Sequence, residues 1–222
     1  MSEPKAHKRV NDILLGPLER PALQWLAAHA PAWMTPDMLT GIGILGSLTI
    51  FVAYVLTGVD KNFLWLANLG LLINWYGDSL DGTVARYRKI ERPKFGFFID
   101  HTTDAFSQFF VVIGLGLSPY VRFDVAAMAL IGYLLVSVYV YVDTYVTGLF
   151  KISYGKLGPT EVRAIIVIAN TLVYFLGNPS FNFSFGDFSV FDLFVLLLAA
   201  VLFFTFTIST LTRARELARE GE

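Results

Sequence analysis

Four aspartates, Asp78, Asp81, Asp100 and Asp104, stand within 27 residues of one another at the ends of two otherwise apolar stretches. A carboxylate costs about 2.5–3.5 kcal/mol at the centre of a membrane helix, so four together call for a compensating partner. Oxygen-only donors select hard cations, which makes Mg²⁺ or Mn²⁺ a better match than zinc. Two such ions, about 3.5–4 Å apart, would clamp a phosphoryl group and neutralise a leaving oxygen. The residues around the acids suit that chemistry: the full pattern is Asp78-x2-Asp81-Gly82-x2-Ala85-Arg86-x9-Gly96-x3-Asp100-x3-Asp104. Small Gly82 and Ala85 let a ligand approach the backbone, and Arg86 offers a permanent planar cation to phosphate oxygens. Gly96 serves either the ligand or close packing.

Two helices must position these groups. Asp78, Gly82 and Ala85 fall at i, i+4 and i+7, with Asp81 at i+3, so they share one helical face. Gly96, Asp100 and Asp104 fall at i, i+4 and i+8 on a second helix. The short link 87–95 predicts that these helices are antiparallel neighbours whose acidic faces converge just inside the membrane boundary.

The rest of the chain supports a membrane setting. It is 55% hydrophobic and 15% aromatic with a mean hydropathy of +0.58, too apolar for an ordinary soluble domain. The absence of cysteine excludes disulfides, thiolate metal sites and thiol catalysis. Six apolar segments, roughly 36–58, 62–85, 96–118, 124–149, 161–177 and 188–211, come close to or exceed the ~20 residues a span needs. The fifth stops at Gly177-Asn178-Pro179. The stretch Val10–Met34 mixes Ile13, Leu14, Leu18 and Trp25 with Glu19 and Arg20, and is broken by Pro17 and Pro21. It suits a kinked amphipathic helix at the interface, and equally a polar-faced helix packed on the bundle. Charges scattered from Lys5 to Arg20 leave no signal-peptide core, so the N-terminus is expected to be retained.

The expected fold is therefore all-α: an integral membrane bundle of six transmembrane helices, residues 35–222, preceded by an N-terminal interfacial segment, residues 1–34. With six spans, 15 of the 17 lysines and arginines, Lys156 among them, fall on the side of both termini. Only Lys61 and Arg122 fall on the other, which predicts a cytoplasmic location for the termini and the aspartates. The aromatic-rich stretch 181–191 reads as a turn at the opposite surface.

The aspartate pattern closely resembles the signature of the CDP-alcohol phosphotransferase family, membrane enzymes of phospholipid synthesis, and every fixed position is matched. Thr35-Pro36-Asp37-Met38-Leu39-Thr40 also resembles the family's approach to its first span, with Asp37 where Asn is usual. The resemblance implies that Asp78, Asp81, Asp100 and Asp104 hold two Mg²⁺ or Mn²⁺ ions. It implies that Gly82 and Ala85 make room for cytidine beside Asp78 and Asp81, and that Arg86 assists nucleotide binding. Asp104 would also be the general base that deprotonates an acceptor hydroxyl as CMP leaves. A homodimer in the membrane lipid is expected on the same ground; no nucleic-acid partner is.

Three further residues are candidates for the acceptor pocket. Asp143 lies within the fourth span, where a buried carboxylate could help form the pocket or a helix-end residue could simply reach water. Glu161 and Arg163 open the fifth, where a helix N-terminus and a cation could hold an anionic acceptor, or where Thr160 and Glu161 cap the helix. His101 reads as second to the metal site or as a structural histidine. The favoured donor is CDP-diacylglycerol with a polar alcohol as acceptor; the alternative is a choline- or ethanolamine-type enzyme using a CDP-linked polar alcohol and diacylglycerol. A divalent-cation transporter is the rival in another class, set back by acids that cluster at one boundary and not at the midplane. An intramembrane prenyltransferase fits less well, because its two aspartate motifs lie far apart in a longer chain.

Overall fold

The structure is a computed structural model that describes residues 8–10, 14–151, 158–184 and 186–221; Lys5, Ile13 and Lys156 lie outside the described residues. Among the described residues the order is β1 (Lys8–Val10), α1 (Gly16–His29), α2 (Pro36–Leu56), α3 (Phe63–Tyr87), α4 (Pro93–Gly116), α5 (Phe123–Thr147), β2 (Leu149–Lys151), α6 (Pro159–Leu176), β3 (Ser180–Phe183), β4 (Gly186–Ser189) and α7 (Val190–Glu220). Helices α2–α7 fall on the six apolar segments and α1 on the amphipathic one. Four of them, α2, α5, α6 and α7, combine the length and apolarity needed to cross a membrane. Helices α3 and α4 have the length, at 25 and 24 residues, but carry the aspartates and lose apolarity by doing so. Among the described residues the fold is thus an α-helical membrane fold with seven helices, in which hydropathy by itself supports four crossings and not six.

Local chemistry sets the helix ends. Thr35 caps α2 by accepting the Met38 N–H, with Pro36 at the first helical position. Ser189 and Asp192 cap α7 reciprocally: each side chain accepts the other's backbone N–H, at 2.9 and 2.8 Å. Gly148, at φ 70°, ends α5 in the left-handed conformation that glycine adopts without penalty.

Backbone contact between α2 and α3 is the tightest packing in the bundle. A Cβ placed on Gly77 would lie 2.2 Å from the Gly43 nitrogen, and one on Gly46 would lie 2.4 Å from the Asn74 nitrogen. Small residues allow this approach, as in membrane helix pairs generally. One apolar core, with Ile50, Tyr54, Leu64, Leu71, Val125 and Phe191, fills the bundle, and a second joins Leu23 and Ala27 of α1 to Leu39, Leu80 and Val84. Large apolar side chains such as Phe98, Phe175, Leu197 and Phe204 point outward, as lipid-facing surfaces require.

The all-α class holds, with short strands added to it: β1 pairs in parallel with β2, and β3 and β4 form an antiparallel hairpin within the stretch expected to be a turn. One expectation is corrected: α3 and α4 do not approach closely backbone to backbone; both lie on α2, while α4 also packs on α5 and α3 on α6. A crevice lies where α2, α3 and α4 meet.

Candidate active site

The last turns of α3 and the first turns of α4 carry the acidic pattern, and the starts of α2 and α6 meet them at the same end of the bundle. The crevice is lined by Thr40, Gly43 and Ile44 of α2, Asn74 and Asp78 of α3, and Thr103 and Ser107 of α4. Asp104 lies within hydrogen-bonding reach of Asp78 and within electrostatic range of Asp100, and Asp81 feels both Asp78 and Asp100. Carboxylates of the two helices therefore come within electrostatic range of one another.

Each acid on α3 has a partner from another helix. Arg163 of α6 places Nη2 2.5 Å from Asp78 Oδ2 and donates from Nε to Asn74 Oδ1 at 2.8 Å. Asn74 in turn donates to the Gly43 carbonyl and to Ser47 Oγ, both at 3.0 Å. Thr40 donates to Asp81 Oδ2 at 2.6 Å. The third Arg163 nitrogen, Nη1, is buried with no hydrogen-bond partner among the described residues. A buried guanidinium donor left in this way favours an incoming acceptor oxygen.

Among the described residues, no three acidic or histidine side chains are drawn into a ready ligand set. Asp78 and Asp81 are turned to Arg163 and Thr40 instead. The donor chemistry nonetheless fits a hard divalent cation: carboxylates of α3 and α4 lie in electrostatic range of one another, and the donors are all oxygen.

The remaining motif residues surround this centre. Arg86 folds back so that its guanidinium covers Gly82; a Cβ there would meet only that flexible group, at 3.2 Å. Ala85 is half-buried on the same face. A Cβ on Gly96 would meet nothing within 4 Å, so close packing inside the chain is not its role. Asp37, which replaces the usual Asn, pairs with Arg92 and joins the start of α2 to the start of α4. His101 lies in an aromatic stack, its ring 4.1 Å from Phe97 and 5.1 Å from Tyr141. Its Nδ1 is 4.0 Å from Asp100 Oδ2, beyond direct hydrogen-bond length.

The three acceptor candidates separate. Arg163 joins the carboxylates. Asp143 is instead bonded to Arg213 of α7 at 2.5 Å, and Arg213 also holds Glu216. Glu161 is buried and accepts two backbone N–H groups, from Leu15 and Gly158. Thr40 and Asn74 were missed as site residues, although Asn74 stands one turn before Asp78 on the same helical face. At the opposite end of the bundle a concavity is lined by Tyr120, Arg122, Asn178 and Asp192, whose polar groups largely bond one another.

The sequence profile of the CDP-alcohol phosphatidyltransferase family matches residues 33–211, and the chain belongs to that family. It is 31% identical over 165 residues to cholinephosphotransferase 1 of Danio rerio, covering 69% of this chain and 41% of the relative. The Gallus gallus counterpart is 30% identical over 77% of this chain and 52% of its own length. Archaetidylinositol phosphate synthase of Pyrococcus horikoshii is 37% identical over 104 residues, 47% of this chain and 52% of that protein. The chain thus spans about half the length of the curated relatives it matches. Among solved structures, Mycobacterium tuberculosis phosphatidylinositol phosphate synthase (PgsA1) with CDP-DAG bound has the same fold, with a TM-score of 0.58 at 20% identity, covering 86% of this chain and 90% of that one.

Proposed function

We propose that the chain transfers a substituted phosphoryl group from a CDP-linked donor to an alcohol, with release of CMP. The observation that supports this reading is the approach of acids from α3 and α4, Asp104 to Asp78 and Asp81 to Asp100, beside the Arg163–Asp78 and Thr40–Asp81 bonds. Asp78, Asp81, Asp100 and Asp104 would hold Mg²⁺ or Mn²⁺, two ions by the family resemblance. The bound ions would supply charge neutralisation for the phosphate oxygens and the departing nucleotide.

The chain's own residues divide the remaining work. Gly82 and Ala85 leave the backbone of α3 open to the cytidine, and Arg86, once it swings off Gly82, binds phosphate oxygens. Asp104 takes the proton from the acceptor hydroxyl. The acceptor oxygen then bonds to the phosphorus that bears the donor's alcohol, the anhydride bond to CMP breaks, and the nucleotide departs with the electron pair. A transporter reading has less support, because the acids sit at helix ends beside a cation and not along a path.

We favour CDP-diacylglycerol as donor and a polar alcohol as acceptor, a phosphatidyl transfer, in line with the solved structure of the same fold that has CDP-DAG bound. Arg163 adjoins the crevice with an unfilled donor, which suits an anionic acceptor. A second reading takes a CDP-linked polar alcohol and diacylglycerol, and the similarity to cholinephosphotransferases over 69–77% of the chain supports it. We further infer six crossings, with both termini and the crevice on the cytoplasmic side, from the distribution of Lys and Arg. A homodimer rests on the family resemblance. The deciding experiment supplies purified protein in lipid with labelled CDP-diacylglycerol or CDP-choline and a panel of acceptors, and separates lipid products by chromatography. No CMP from any donor would overturn the reading.

A further inference from the structure

Helix α1 is tied to the bundle at three places. Just beyond α3, Arg88 donates to three carbonyl groups of the α1–α2 connection: Ala30 at 2.9 Å, Pro31 at 2.8 Å and Met34 at 2.6 Å. In the first turn of α1, Glu19 Oε1 accepts from Trp75 Nε1 of α3 at 2.8 Å and from Thr160 Oγ1 of α6 at 2.6 Å. At the start of α1, the Leu15 N–H bonds Glu161 Oε1 at 2.7 Å, while Glu161 Oε2 takes the Gly158 N–H at 2.9 Å. Glu161 is only 3% exposed. Its carboxylate satisfies two backbone donors and sits at the positive end of the α6 dipole.

Two of these ties, through Glu19 and Glu161, converge on the turn of α6 that carries Arg163. That side chain reaches Asp78 at 2.5 Å and Asn74 at 2.8 Å, so its reach is fixed by where α6 begins. A slip of α6 by one residue moves it about 1.5 Å along its axis, enough to take Nη2 out of contact with Asp78. The carboxylates of Glu19 and Glu161 are taken up by these donors of α3, α6 and the helix starts. Each acts through the placement of α6.

We propose that Glu19 and Glu161 are positioning residues: the docking of α1 sets the start of α6 and thereby holds the Arg163 guanidinium on Asp78. The proposal rests on the reading of the aspartate crevice as the catalytic centre. It gives α1, packed on the bundle through Leu23 and Ala27, a part in holding the site. Glu19 is the better probe, because Glu161 also caps its own helix.

The test is a double-mutant cycle on the full chain reconstituted in lipid, with Glu19→Ala, Arg163→Gln and the pair, plus Glu19→Gln, whose amide oxygen still accepts from Trp75 and Thr160. Initial rates of CMP release should fall about tenfold in kcat/KM for Glu19→Ala and recover in Glu19→Gln. In the Arg163→Gln background, Glu19→Ala should add less than about twofold, because contacts on one route are not additive. A second readout uses Mn²⁺ alone, followed by electron paramagnetic resonance. Loosening Arg163 frees Asp78, so Glu19→Ala and Arg163→Gln should each bind Mn²⁺ about fivefold more tightly, and the pair no more tightly than either.

Independent, multiplying losses in the cycle, or Mn²⁺ affinities equal across the four proteins, overturn the positioning role. If Glu19→Ala does not fold, Thr160→Val removes one hydroxyl from the same tie and takes its place in the cycle. If the wild type releases no CMP, the functional reading fails, and the Mn²⁺ cycle alone decides whether α1 places Arg163.

Discussion

Arg163 and Asp78, 85 residues apart in sequence, meet at 2.5 Å and join α6 to α3 through side chains that are 13% and 21% exposed. The pair supplies the carboxylate cluster with a fixed cation. Removing one partner from a largely buried pair leaves the other uncompensated, which costs about 3 kcal/mol or more. Arg163→Ala should therefore lower the thermal midpoint in detergent by several degrees. Arg163→Lys should recover part of it, since an ammonium reaches one of the two partners but not both. An unchanged midpoint in Arg163→Ala would show that the ion pair is not formed.

Asp104 and Asp78 should separate by phenotype. A general base contributes roughly 10²–10⁴-fold, so Asp104→Asn should lose CMP release on that scale while retaining much of its nucleotide binding. Asp78→Asn should weaken Mn²⁺ binding itself. Calorimetric titration with CMP and Mn²⁺, beside a CMP-release assay, distinguishes them. Full turnover in Asp104→Asn would remove it as the base.

Chelation supplies a third check. Treatment with excess EDTA should abolish CMP release, and Mg²⁺ or Mn²⁺ should restore it, whereas Zn²⁺ should restore little, because the donors are all oxygen. Activity that survives exhaustive chelation would contradict the cation assignment.

The glycines divide into two kinds. Gly77→Ala would push a methyl group to 2.2 Å from the backbone of Gly43, so α2 and α3 must part, and a loss of about 1–3 kcal/mol is expected. Gly82→Ala meets only the movable Arg86, and Gly96→Ala meets nothing. These two should unfold at or above the wild-type midpoint, because alanine favours helix by about 1 kcal/mol over glycine. If they lose nucleotide affinity nonetheless, the space they leave serves the ligand. Equal midpoints for Gly77→Ala and wild type would refute the close approach.

Much of this arrangement was legible because it is local. The spacing of Asp78, Asp81, Gly82 and Ala85 fixes a shared face once the segment is helical, and apolar runs mark the helices. What escaped was long-range. Thr40 meets Asp81 across 41 positions and Arg163 meets Asp78 across 85, and no periodicity encodes such pairings. Glu161 looks the same in sequence whether it faces a substrate or caps a helix; in the fold its buried carboxylate accepts the Gly158 N–H of its own helix start and the Leu15 N–H. Asp143 was visible as a buried acid, but not its partner Arg213, 70 residues on. The separation of α3 from α4 was hidden because a short link shows only that the helix ends are near. It leaves open how closely the walls approach.

The glycine seam of Gly43, Gly46, Gly70 and Gly77 carries one last implication. With backbone against backbone, α2 and α3 have no side-chain cushion to slide on, so they behave as one stiff beam bearing Thr40, Asp78 and Asp81. Any rearrangement around the carboxylates must then come from α4 and α6, the helices that carry Asp100, Asp104 and Arg163 and lie outside that seam.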